Sequence, residues 1–153
     1  MFSFNAKMSV IAVAIILVLP ACKGDGRMYS QRGLVLGIAV DQAAVVGVDY
    51  RKALTDAFAG DGHALRQIFK ATPHMDGAGA TFNSGRLRQL LDKFGDREFS
   101  KTLYLESRSV REAVIDALDF QFNVNEKHRD WFREYPITYR LGSHRYARSY
   151  SSR

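Results

Sequence analysis

Between Tyr50 and Phe120, apolar side chains recur at helical spacing in short segments punctuated by glycine, aspartate and serine. A stripe at i, i+3, i+4 and i+7 lies on one face of a helix but scatters over both faces of a strand, so the pattern restricts this stretch to packed helices. The clearest stripe is Leu87, Leu90, Leu91 and Phe94, in a helix expected over Gly85–Phe94 with Asn83 or Ser84 as its cap and Gly95 as its stop. Tyr50–Ala59 is expected to end at Gly60. Asp61 should cap His63–Ala71, whose apolar face is Leu65, Ile68 and Phe69 and which cannot continue through Pro73. His74–Thr81 reads as a loop. Asp96 is expected to start Arg97–Glu106, and Ser109 with Glu112 to form a capping box for Val110–Phe120. Leu90, Leu91, Phe99, Leu103, Val114 and Leu118 are the expected core, and Arg88 a side chain whose truncation costs little. Leu34–Val48 holds Gly37, Gly47 and the polar pair Asp41-Gln42. It reads first as an apolar helix beneath the domain, with a strand or a membrane-facing segment as alternatives.

The N-terminus carries a different signal. Lys7 precedes an uncharged run from Met8 to Cys22. As a helix this run would span roughly 22 Å at about 1.5 Å per residue, less than the ~30 Å hydrocarbon core. A short apolar segment behind a positive charge, ending in small residues, is expected to be a signal peptide; an uncleaved anchor or a buried helix is the alternative. The chain has one cysteine, and it stands where this segment ends. Leu19-Pro20-Ala21-Cys22 resembles the lipobox of bacterial lipoproteins. The resemblance implies cleavage before Cys22, a diacylglycerol on the Cys22 thiol and a lipid bilayer as partner. Lys23 stands where enteric lipoproteins kept at the inner membrane carry Asp, so the expected address is the outer membrane, facing the periplasm.

A second resemblance lies in Val110-Arg111-Glu112-Ala113-Val114-Ile115-Asp116-Ala117-Leu118, which is similar to the inner-helix pattern of HEAT-type repeats. With its partner helix it would form the hairpin Asp96–Phe120, and His63–Phe94 would form another. Two units fall short of the three or more that a solenoid needs. The expectation is therefore an all-α compact bundle of about five helices with HEAT-like hairpins. The expected divisions are a signal peptide over 1–21, a flexible tether over 22–33, a helical domain over 34–141 and a disordered basic tail over 142–153. HEAT-like modules bind other proteins and carry no chemistry of their own.

The C-terminal end is basic and aromatic, with Arg133, Arg140, Arg145 and Arg148 among Trp131, Tyr135, Tyr139, Tyr146 and Tyr150. Lys127–Tyr135 could form a last helix ended by Pro136, and Ile137–Leu141 a short strand or arm. Trp131–Arg153 as a whole is expected to serve association rather than folding. Arginine with aromatics can bind single-stranded nucleic acid, but a chain exported from the cytoplasm does not meet it. The four arginines are the candidate contacts for an envelope protein or an anionic surface; a solvated tail without a partner is the alternative.

No catalytic constellation is legible. His63, His74, His128 and His144 are scattered, and His74-Met75-Asp76 in a glycine-rich stretch has no paired-histidine helix to make it a metal site. No nucleophile elbow, P-loop or dinucleotide fingerprint occurs. Asp61, Asp96, Asp116 and Asp119 are accounted for by helix starts and exposed faces. Neither cofactor nor catalysis is expected. The alternative is an envelope hydrolase, for example on peptidoglycan, which would need converging carboxylates or histidines in a deep pocket.

Overall fold

The computed structural model describes residues 26–124 and 131–142. Among them the fold is all-α, with α1 over Gly26–Ala44, α2 over Tyr50–Ala59, α3 over Gly62–Ala71, a 3₁₀ turn over Thr72–His74, α4 over Gly77–Tyr104, α5 over Arg108–Val124, α6 over Trp131–Glu134 and α7 over Pro136–Arg140. No strand occurs in the described residues.

Helix boundaries in the first half follow local chemistry. The Asp49 carboxylate accepts from the Lys52 backbone N–H (3.1 Å) and starts α2. Gly60 ends it in the left-handed region (φ 105°). Its N–H bonds the Ala57 carbonyl, and the Asp61 N–H bonds that of Asp56, which closes the helix with a Schellman motif. Asp61 then caps α3 through the N–H groups of His63 (2.7 Å) and Ala64 (3.3 Å). Pro73 sits in the 3₁₀ turn that follows Ala71.

Leu34–Val48 is helical as far as Ala44, the first of its readings above. Ala39 and Ala43, four residues apart and fully buried, let α1 lie close against the bundle. The approach is tight at Gly79 in α4, where an added Cβ would stand 2.0 Å from Gln42 Oε1. Helical backbone begins at Gly26, so 26–33 depart from the expected tether; 22–25 lie outside the described residues. No described helix is long and apolar enough to cross a membrane.

In α4 the structure departs from local reading. The helix starts at Gly77 rather than after Asn83 or Ser84, and the expected loop His74–Thr81 is half helical. Asn83 and Ser84 are buried in mid-helix because their hydrogen bonds cross to other elements. Tyr50 Oη donates to Asn83 Oδ1 (2.7 Å), Asn83 Nδ2 donates to Thr72 Oγ1 (3.0 Å), and Thr72 Oγ1 donates to the Ile68 carbonyl (2.9 Å). Every member of that chain has a partner, the condition for burying polar groups in a core. Gly95 does interrupt α4, with φ 74° and ψ 160°. At α5 the cap is Ser107, whose Oγ accepts from the Val110 N–H (3.4 Å); Ser109 is not the cap, and Glu112 instead accepts from Arg108 (2.8 Å).

Leu90, Leu91, Phe99, Leu103, Val114 and Leu118 are all fully buried, with the Phe69 and Phe99 rings meeting edge to face at 4.9 Å. Helix α2 packs chiefly on α3, and α4 on α5. The first hairpin is thus α2–α3 and not the expected His63–Phe94 pair, because Asp49 and Gly60 confine α2 to a short antiparallel partner. In place of the expected hairpin Asp96–Phe120, α5 packs on a longer α4 that begins at Gly77.

Candidate interaction surface

The C-terminal helices belong to the core. Trp131 is buried and stacks on Phe122, with centroids 4.8 Å apart and planes within 3°, while its indole N–H donates to Asp119 Oδ1 (3.1 Å). Tyr139 meets the Trp131 ring edge-on at 5.1 Å. Arg88 places its guanidinium 3.9 Å above the Phe122 ring and bonds both Asp92 oxygens at 3.0 and 3.2 Å. The Tyr135 hydroxyl donates to Asp92 as well. Burial first, then this hydrogen bond and the Asp92 charge, raise the Tyr135 phenol above its ordinary range. Arg88 is therefore a packed and paired side chain, which corrects the expectation that its truncation costs little.

Asp96, expected to start a helix after Gly95, lies inside α4 and turns its carboxylate to another element. Its carboxylate accepts from the backbone N–H groups of Ile137 (2.8 Å) and Thr138 (2.7 Å), which begin α7 behind Pro136. The expected strand or arm over Ile137–Leu141 is thereby a helical turn. Gly142 closes onto α5 so tightly that a Cβ there would stand 2.5 Å from Ile115 Cγ2. Trp131 through Gly142 is thus a folded part of the domain, against the expectation that this stretch serves association only. The expected tail beyond it, 143–153, lies outside the described residues.

Two concavities adjoin α4 and α5, the second of them also α7. The larger is an open groove of about 450 Å³ between the 3₁₀ turn, the start of α4 and α5. Pro73, Met75, Ala113 and Ala117 make its walls apolar, and Phe120 stands half exposed on it. Its described lining holds one carboxylate, Asp116, and no histidine. The buried hydrogen-bond chain through Thr72 and Asn83 forms part of its floor, which gives the groove a rigid base.

The smaller is a cleft of about 270 Å³ lined by Tyr104, Arg108, Arg111, Glu112, Arg140 and Gly142. Arg111 Nη1 donates to the carbonyls of Glu106 (2.6 Å) and Tyr104 (3.3 Å) at the end of α4. Arg140 Nε donates to the Pro136 carbonyl (3.0 Å).

Of the candidate residues, Arg140 lines this cleft, while Arg133 is exposed with its guanidinium 5.6 Å from the Phe132 centroid and is not part of it. Cys22, Arg145 and Arg148 lie outside the described residues. Arg108 and Arg111 join Arg140 although nothing in the C-terminal composition points to them. Their spacing of three at the start of a helix, Arg108-Ser109-Val110-Arg111, is the signal that would have placed them on one side of it. Among the described residues no group of three or more His, Cys, Asp or Glu is placed to hold a metal ion. Compared with known proteins, the chain matches no family model, no curated protein and no solved structure.

Proposed function

We propose that this chain is a lipid-anchored protein of the bacterial cell envelope whose helical domain is an interaction module. The observation that carries the interaction reading is the open apolar groove between helices, with a half-exposed phenylalanine and a single carboxylate along it. Such a surface suits contact with another protein. Hydrolysis of a glycosidic or peptide bond asks instead for two convergent acid–base groups or a metal. The anchor reading is carried by Leu19-Pro20-Ala21-Cys22 behind an uncharged run, and Lys23 supports an outer-membrane address facing the periplasm. Two or three acyl chains at Cys22 hold a soluble domain to a bilayer where one holds it only marginally. The resemblance of Val110–Leu118 to the inner helix of HEAT-type repeats supports a binding role, and Arg133, Arg140, Arg145 and Arg148 are the proposed contacts to an envelope protein or an anionic surface.

The test is metabolic labelling of the full chain with a fatty-acid analogue, followed by fractionation. The wild-type chain is expected to carry label and sediment with membranes. Cys22→Ser is expected to lose the label and to accumulate as precursor or leave the membrane fraction. Label that persists in Cys22→Ser contradicts the anchor. Phe120→Asp, which puts a charge on the groove, is expected to remove partners cross-linked to the wild-type domain without releasing it from the membrane.

A further inference from the structure

We propose that the cleft between the start of α5 and the end of α7 is a binding site for a phosphate-bearing anion. It rests on the reading of this end as a contact surface, but not on acylation at Cys22. Three guanidinium groups from two elements remote in sequence, Arg108 and Arg111 on α5 and Arg140 on α7, line one concavity with a single carboxylate, Glu112. The concavity has about 270 Å³, several times the roughly 30 Å³ that a water occupies in the liquid, so a phosphate group fits with part of its hydration.

The chemistry favours phosphate over other anions. Guanidinium groups present a planar fork of donors that matches phosphate oxygens two at a time. Arg111 is positioned by two backbone carbonyls, so its charge is oriented without being neutralised by those partners. The long helix α5 begins at Arg108, and the positive end of its dipole adds to the same field. The one lining carboxylate, Glu112, already accepts from Arg108 at 2.8 Å, so the three cations keep a net positive charge in the cleft, to which a phosphate brings several oxygens and up to two charges.

Surrounding residues favour a headgroup as the carrier of that phosphate. Tyr104, which lines the cleft, is 67% exposed, and its neighbour Leu105 is 63% exposed. An exposed tyrosine and leucine beside arginines form the amphipathic combination that settles at a membrane–water interface. The cleft would then hold the headgroup of an anionic phospholipid while the acyl anchor holds the chain.

The experiment uses the full chain in neutral detergent at low salt, isotope-labelled and followed by NMR. It is titrated separately with inorganic phosphate, with phosphatidylglycerol in the micelle and with phosphatidylcholine as the zwitterionic control. Saturable shifts are expected for 104–112 and 140–142, with phosphatidylglycerol stronger than phosphate and phosphatidylcholine without effect. Arg108→Gln and Arg140→Gln are each expected to weaken the response about tenfold, the effect of losing one charge-assisted contact. Arg51→Gln removes the same charge from exposed α2 and is expected to leave it within about twofold. Melting curves confirm that each variant is folded. An equal response to free phosphate keeps the site and assigns it to a soluble anion. Shifts spread over the whole surface, or an equal loss in Arg51→Gln, overturn the proposal, as does the absence of saturation by either anion. The labelling test at Cys22 is untouched by any of these results.

Discussion

Arg88 shows how one side chain can join several elements. Its guanidinium lies over Phe122 while its Nε bonds Asp92, which in turn accepts from Tyr135, so α4, α5 and the residue between α6 and α7 meet through it. A cation over an aromatic face contributes about 0.5–2 kcal/mol according to burial, and the arginine stem adds apolar contact. Arg88→Ala should cost about 1–2 kcal/mol and lower the melting temperature by several degrees, whereas exposed Arg51→Ala should stay within about 0.5 kcal/mol. Gly95 is a second such residue. It sits at φ 74° and ψ 160°, and an added Cβ would meet no heavy atom within 4 Å, so its substitution meets backbone strain rather than a clash. Gly95→Ala should cost about 1–3 kcal/mol, read from denaturant melts. Tyr50 and Tyr135 make stability depend on alkaline pH. Burial raises the Tyr50 phenol above its ordinary range, and burial with the Asp92 hydrogen bond raises that of Tyr135. The folded state therefore holds these protons more tightly than the unfolded chain. That stability is fully present below about pH 10, the unfolded value, and is lost as the pH rises from there through the folded values. Melts across this range should fall more steeply for wild type than for Tyr50→Phe, with the phenolate absorbance lagging in the folded chain.

At the scale of elements, legibility followed the range of the interactions. Helices α2 and α3 could be read almost to the residue because Gly60, Asp61 and Pro73 act within a few positions of themselves, as does Asp49, the cap of α2 that the reading did not use. The start of α4 could not, since Asn83 and Ser84 look like caps but bond Tyr50, Thr72 and Gln121 across the bundle. Helix α6 falls within the last helix expected over Lys127–Tyr135, whereas α7 was hidden by composition. Arginine and tyrosine after Pro136 suggest a solvated arm, yet Thr138 is fully buried and Asp96, forty-odd positions away, caps the turn. These helices should accordingly contribute to stability. Trp131→Ala should cost about 3–5 kcal/mol, the range for emptying a large aromatic site. Truncation after Val124 should lower the melting temperature strongly, while truncation after Gly142 should leave it nearly unchanged. A truncation after Val124 that melts like wild type would return α6 and α7 to the status of a tail.

At the scale of the whole molecule, the all-α architecture and the six expected core residues were legible because helical stripes survive any error in boundary placement. The basic cleft was not, because Arg108 and Arg111 share it with Arg140 only through the packing of α7 on α4 and the closure of Gly142 onto Ile115 of α5. The proposed anchor is the opposite case: Leu19-Pro20-Ala21-Cys22 is a linear pattern that needs no fold to be read. The domain and its groove gain their proposed place in the envelope from an attachment at Cys22, so the most direct test is the mass of the N-terminal peptide of the chain extracted from membranes. The account predicts a peptide that begins at Cys22 and carries a diacylglycerol thioether, with or without an acyl group on its amine. An N-terminus elsewhere with an unmodified Cys22 thiol would contradict it.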